Sequence, residues 1–263
     1  MDVAPPGIRA VGQQCCLSGL PKGLLQLGID LGSVCVLYTD MRPILPEPDL
    51  SERIHDSVLE AICSGELKSG ARITQEEIAQ QFGVSRQPVL QAMMLLRREG
   101  FLIDAGRKGV CVAPLDVQQA RNLYVVRAAL DGAAARLAAS NYTPHLVQRG
   151  RALLDVGRRA VASGYVPSVI EADIDFHLFV YEASGNPVIG ETAQPHWQHL
   201  RRVMAAALSE EDLRISVWDE HEAILRALEA GQAAEAEALC RGHAEQMADI
   251  LTKRLKIVIS RAA

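Results

Sequence analysis

Between Asp116 and Val258 the sequence has few places at which a helix must stop. The clearest are Gly164, the Ser-Gly-Asn-Pro at 184–187 and Gly231. Glycine and proline are the strong punctuators of local structure, so the long stretches between them are free to run as helix. Aromatic residues make up only 4% of the chain, while alanine and leucine, both strong helix formers, are frequent. The pattern predicts helices near 116–140, 144–163, 167–184, 187–208, 211–230 and 232–258. Pro195 is expected to kink or split the fourth. Helices joined by such short connections pack side by side with alternating direction. The chain is therefore expected to be mainly α, with a C-terminal six- to seven-helix antiparallel bundle over residues 115–258 and a tail at 259–263.

Residues 49–114 follow another rhythm. Ile54, Val58 and Ile62 recur every fourth residue and predict a helix from Leu50 to Ser64, with Asp49 and Glu52 resembling a capping box. A second, short helix is expected over Gln75–Phe82. Thr74 and Glu77 form its capping box, and Ile78, Ala79 and Phe82 its apolar face. Gly83 supplies a turn, Ser85 caps a third helix, and Pro88 is tolerated in its first turn. Val89, Met93 and Leu96 give that helix its apolar stripe. Two short apolar runs around Gly-Arg-Lys-Gly then read as a β-hairpin. Helix, short helix, turn, helix and hairpin is the order of a winged helix-turn-helix.

Residues 1–48 stand apart as a disordered or accessory extension. They hold six of the twelve prolines and three of the six cysteines, without a helical or strand period. Met41 stands shortly before the first patterned helix, and translation is expected to begin there, with the first forty residues an extension of the reading frame. The six cysteines form no CxxC pair and read as reduced thiols of a cytoplasmic protein. No uncharged apolar stretch reaches the roughly 18 residues of a membrane span, so no membrane partner is expected. The net charge of −5 excludes a uniformly basic nucleic-acid coat, and residues 49–114 hold eight Lys/Arg against nine Asp/Glu. A small DNA-binding face remains compatible with both numbers.

Such a face needs donors at the start of the third helix, where free backbone N–H groups also favour a phosphate. Ser85, Arg86 and Gln87 stand there, and an arginine can pair with phosphate or a guanine edge. Gln91 could read an adenine, while Arg107 and Lys108 occupy the expected wing tip with Gly109. The helical region carries a second constellation. Asp173 and His177 are four apart on one helix face. His221 and His243 flank the turn at Gly231 at similar distances, so a rise of ~1.5 Å per residue sets them at similar heights on adjacent antiparallel helices. One carboxylate and three imidazoles suit a divalent metal ion such as zinc or nickel. His196 and His199 form a rival pair next to Pro195, His55 and His145 have no arranged partner, and Asp175 points off the favoured stripe.

The stretch SGARITQEEIAQQFGVSRQPVLQAMMLLRREGFLIDAGRKGVCV is similar to the N-terminal domain of GntR-family bacterial transcription regulators. Glu77-Ile78-Ala79, Gly83-Val84-Ser85-Arg86, Pro88-Val89, Glu99-Gly100 and Gly109-Val110 carry the resemblance. It implies binding of double-stranded operator DNA as a homodimer, with Arg72, Thr74, Arg86 and the wing near the DNA. The family usually reads Val-Arg-Glu-Ala-Leu where this chain has Val89-Leu90-Gln91-Ala92-Met93. Leu90 thus stands where an arginine normally contacts DNA, and either packs on a thymine methyl or belongs to a face that binds something else. Leu123 to Arg127, Asp173-x-x-Phe176-His177, Ser184-Gly185-Asn186-Pro187, Glu220-His221 and Arg241-x-His243 resemble, in order, the FCD ligand-sensing domain of the FadR-like branch. That resemblance implies a metal held by Asp173, His177, His221 and His243, and a small organic acid or sugar acid as effector. Arg127 is the candidate partner of the acid or else part of a buried ion pair. Asn186 is a second effector candidate, though a helix cap suits it better. Asp131 replaces a commoner glutamate.

These readings combine into a ligand-responsive DNA-binding transcription regulator, repressor in polarity, rather than an enzyme. The alternatives are a metal-dependent hydrolytic enzyme on the helical domain, with Glu171 or Glu220 near the ligands, and a constitutive DNA binder with a structural metal.

Overall fold

The computed structural model describes residues 49–106, 109–208 and 211–262, with backbone alone for 211–216 and 262. The expectations for residues 1–48, the start at Met41, and Arg107 and Lys108 at the wing tip lie outside the described residues.

The first domain opens with α1 (Leu50–Cys63) and β1 (Arg72–Ile73). It continues through α2 (Gln75–Phe82), α3 (Arg86–Arg98), β2 (Leu102–Asp104) and β3 (Val110–Val112). The expected stripes form its core: Ile54, Val58 and Ile62 from α1, Ile78 and Ala79 from α2, and Val89, Met93 and Leu96 from α3 are all buried. The Thr74–Glu77 capping box closes in both directions. Gly83 sits at φ +65°, a left-handed position that ends α2 and lets α3 turn away. The hairpin pairs Leu102 with Val112 and Asp104 with Val110. β1 adds a third strand on the other side of β3. That pairing was not expected, because two residues carry no readable period.

Four local expectations change. Asp49 caps α1 by accepting from the Ser51 amide at 3.3 Å rather than through a box with Glu52. Phe82 is 39% exposed instead of lying on the buried face of α2. Ser85 stands at the N-cap of α3 in extended conformation but makes no side-chain capping bond. His55 does have partners: its Nδ1 lies 2.9 Å from Asp56 and its Nε2 2.8 Å from Glu99, tying α1 to the end of α3.

The second domain is a bundle of α4 (Val117–Asn141), α5 (Pro144–Ser163), α6 (Val166–Ala183), α7 (Pro187–Ala207), α8 (Glu211–Glu229) and α9 (Ala233–Ala262). α7 runs unbroken through Pro195, so the expected split does not occur. α9 continues to Ala262, past the expected end at 258. Close packing depends on small residues: a Cβ on Gly157 of α5 would come within 1.9 Å of the Trp218 ring of α8. No helix among the described residues is long and apolar enough to cross a membrane.

α7 also holds the first domain. His199 stacks on Phe101 with ring centroids 4.1 Å apart, and its Nε2 donates to the Glu99 carbonyl, 3.0 Å away. Arg201 forms an ion pair with Glu60, and Arg202 donates to the Ala113 carbonyl. The Cys63 thiol donates to the Gln198 carbonyl at 3.5 Å. The His196/His199 pair is therefore divided, with His199 serving the domain junction.

Candidate metal centre and nucleic-acid interface

Asp173 and His177 project from one face of α6, and His221 from α8 and His243 from α9 meet them. One ligating atom from each of the four lies within 4.8 Å of the others. His221 Nε2 is 3.4 Å and His177 Nε2 4.0 Å from Asp173 Oδ1. All four residues are buried, while Asp175 is exposed as expected.

The unpaired atoms test whether a metal suits this cluster. Both ring nitrogens of His177 and of His221, and Nε2 of His243, are buried without a hydrogen-bond partner. Leaving a buried polar atom unsatisfied costs about 1–3 kcal/mol, so several together need an additional partner. Neutral imidazole nitrogens grouped with a carboxylate are the donor set of a divalent metal. The cluster fits one.

Surrounding groups orient the rings. Glu220 Oε2 accepts from His243 Nδ1 at 2.7 Å, which leaves Nε2 for the centre. Asp131 Oδ2 lies 3.2 Å from His177 Nδ1. A hydrogen-bonded carboxylate such as Glu220 fixes ring tautomer and direction at a metal site, whereas Asp131 lies beside His177 without a hydrogen bond to it. Phe176 stacks on His221 at 4.3 Å and Trp218 meets its edge at 4.8 Å. Burial lowers the pKa of His177, helped by Arg127, and lowers that of His221 further, helped by His243 and His177. For Asp131 burial acts upward, but His177 and Arg127 outweigh it and hold the carboxyl down at about 2.

Arg127 is 4% exposed and forms the buried ion pair that was one of its two expected roles. Its Nε donates to Asp131 at 3.2 Å, and one terminal nitrogen lies 3.7 Å from Asp173. That same terminal nitrogen has no hydrogen-bond partner, and neither does the buried Tyr124 hydroxyl. The guanidinium sits over the Trp197 ring of α7 at 4.8 Å. The gap beside Arg127, Tyr181 and Trp197 measures only ≈10 Å³, roughly the room of one water. Asn186 lies apart from the four-residue cluster; its side-chain oxygen accepts from the Val188 amide and caps α7.

On the first domain, Ser85, Arg86, Gln87, Leu90 and Gln91 are all exposed along the N-terminal half of α3. Arg72 on β1 and Gly109 beside the hairpin are exposed too. Arg86 pairs with Glu76 at 2.8 Å, and both side chains are more than half exposed. A surface pair of this kind is worth about 0–1 kcal/mol. The Thr74 hydroxyl is occupied within its capping box, bonded to Glu77 at 2.8 Å.

Sequence reasoning missed Glu220 as the group that orients His243, Asp131 as the neighbour of His177, and the role of His199. Glu220 had a signal, since it adjoins His221. Asp131 and His199 had none without knowledge of helix packing.

Comparison with known proteins places these features. Residues 50–112 match the family described as bacterial regulatory proteins, gntR family, and residues 122–246 match the FCD domain. A probable D-xylose utilization operon transcriptional repressor of Paenarthrobacter nicotinovorans is 28% identical over 199 residues, 76% of this chain and 87% of that protein. The HTH-type transcriptional regulator McbR of Escherichia coli is 26% identical, covering 69% of this chain and 83% of its own length. The solved structure of E. coli McbR/YncC superimposes with a TM-score of 0.66 at 21% identity, over 82% of this chain and all of that one. A putative GntR regulator from Rhodococcus sp. RHA1 gives 0.67 at 22%, over 77% and 97%. At those identities the structures show a shared fold. These relatives are regulators, which sets the enzyme reading aside, and the chain belongs to the GntR family of bacterial transcription regulators, with a winged helix-turn-helix followed by an FCD domain.

Proposed function

We propose that this regulator acts in the cytoplasm as a homodimer that represses transcription, and that a small carboxylate bound at a metal centre in the FCD domain controls its hold on operator DNA. The observation that carries this reading is the group of buried, unpaired ring nitrogens on His177, His221 and His243 around Asp173. A divalent metal held by these four residues supplies a fixed positive charge to which a carboxylate can bind. Arg127 is the candidate for the second oxygen of such an acid, a reading supported by a terminal nitrogen that lies 3.7 Å from Asp173 and has no hydrogen-bond partner. An acid larger than the ≈10 Å³ gap must displace neighbouring side chains, and Ala193, His196, Trp197 and Leu200 of α7 border it. His199, Arg201 and Arg202 follow on the same helix and grip the first domain. An effector can only shift states that it binds unequally, and repositioning α7 provides that inequality. On the DNA side, Arg72, Ser85, Arg86, Gln87 and Gln91, with Gly109 at the wing, form the reading face.

The test is metal content of the full-length protein and of a His177→Ala/His221→Ala variant, by inductively coupled plasma mass spectrometry. About one divalent ion per chain is expected in the parent and little in the variant. Equal metal in both defeats the centre. Thermal-shift screening of the metal-loaded parent against organic and sugar acids then identifies the effector class.

A further inference from the structure

α3 leaves an apolar patch in water. Leu90 is 42% exposed and Met94, one turn further on the same face, 59% exposed; Ile103 of β2 is 43% exposed. Met94 and Ile103 line one open groove of ≈510 Å³ together with Arg97 and Arg98. Single exposed apolar residues are ordinary, but a cluster on a face otherwise made of arginine and glutamine marks a contact surface. The core does not need these side chains, since Val89, Met93 and Leu96 fill the opposite side of the helix.

Charge identifies the occupant. Arg86 stands ahead of the patch and Arg97 and Arg98 behind it, and α3 carries no acidic residue between them. The carboxylates close by, Glu76 and Asp104, are each bound to one of these arginines. The partner is thus negative at its rims and apolar in between. A DNA major groove has this form, with phosphates along both edges and thymine methyl groups on the floor. An apolar side chain flanked by donors reads a methyl there, whereas a donor at the same place would read guanine.

We infer that Leu90 is a specificity-determining residue that packs on a thymine C5-methyl group, with Met94 as its apolar neighbour, so that each operator half-site requires thymine at one position. This rests on the operator-binding reading above.

The test uses full-length protein and a random duplex library. A duplex enriched by the parent is resynthesised with each thymine replaced in turn by deoxyuridine, which deletes only the methyl. At one position per half-site the replacement is expected to weaken binding about fourfold, the worth of one methyl-sized apolar group. The Leu90→Ala variant is expected to bind the thymine and uracil duplexes equally. Leu90→Arg is expected to enrich guanine at that position. An enriched duplex with no uracil-sensitive position, or one whose sensitivity persists in Leu90→Ala, overturns this inference alone. A library that yields no enriched duplex overturns the operator-binding reading, and this inference with it.

Discussion

His199 lies flat on Phe101, their planes 6° from parallel, so that a bundle helix and the DNA-binding domain share one stacked pair. Stacked rings of this kind contribute about 0.5–1.5 kcal/mol beyond the area they bury. A double-mutant cycle with His199→Ala and Phe101→Leu is expected to return a coupling energy in that range, read from urea denaturation. Additive effects would mean that the contact carries no energy of its own.

Gly157 and Gly190 make opposite predictions from the same substitution. A Cβ at Gly157 collides with the Trp218 ring, which cannot retreat because it also abuts His221. Gly157→Ala is expected to cost about 1–3 kcal/mol as an overpacked core. A Cβ at Gly190, within α7, meets nothing within 4 Å. Gly190→Ala is expected to gain about 0.5–1 kcal/mol from helix propensity. Thermal melting of both variants checks the pair of signs.

The His55–Glu99 contact makes stability depend on pH. Burial acts to lower the pKa of His55, but the hydrogen bonds to Glu99 and Asp56 outweigh it and the pKa rises above 6.5. A raised folded-state pKa means that the stabilisation is complete below about pH 6.5 and is lost as pH climbs through the raised value. Glu99 is 36% exposed, so the effect is screened to about 1 kcal/mol or less. Urea midpoints of the parent should fall across this window more than those of His55→Gln. Parallel curves would remove His55 from the account.

Glu220 acts on the proposed metal through His243. Glu220→Gln keeps the size of the side chain and removes the charge that fixes the ring. A carboxylate of this kind is worth 10–100-fold in metal affinity elsewhere, and about that loss is expected in a competitive chelator titration. The variant should fold normally, since Glu220 is only partly buried. An unchanged affinity would reduce the 2.7 Å contact to a surface hydrogen bond.

How far the sequence could be read depended on separation along the chain. Asp173 and His177 share a helix face by spacing alone, and a short turn at Gly231 sets His221 opposite His243. Local periodicity and one hairpin of helices therefore supply the two pairs, and the packing of α6 against α8 and α9 brings them together. The stripes of α1 and α3 and the Thr74–Glu77 box were legible for the same reason. What spacing could not supply was contact between distant segments. Asp131 beside His177, Glu99 beside His55 and His199 on Phe101 depend on how whole helices pack. The split expected at Pro195 does not occur: proline removes only one backbone hydrogen bond, and the helix continues through it to Ala207, with Ala193, Trp197, Leu200 and Val203 buried in the core.

α7 carries Trp197 beside Arg127 and, within the next two turns, His199, Arg201 and Arg202 on the other domain. An α-helix is stiff over that length, because each turn is held to the next by backbone hydrogen bonds. The position of Trp197 and the position of the DNA-binding domain are therefore not two independent variables. They are two readings of one coordinate, the rotation and translation of a single rod. A change in what fills the space beside Arg127 needs no chain of intermediate residues to be felt at α1 and α3; it has only to move the rod.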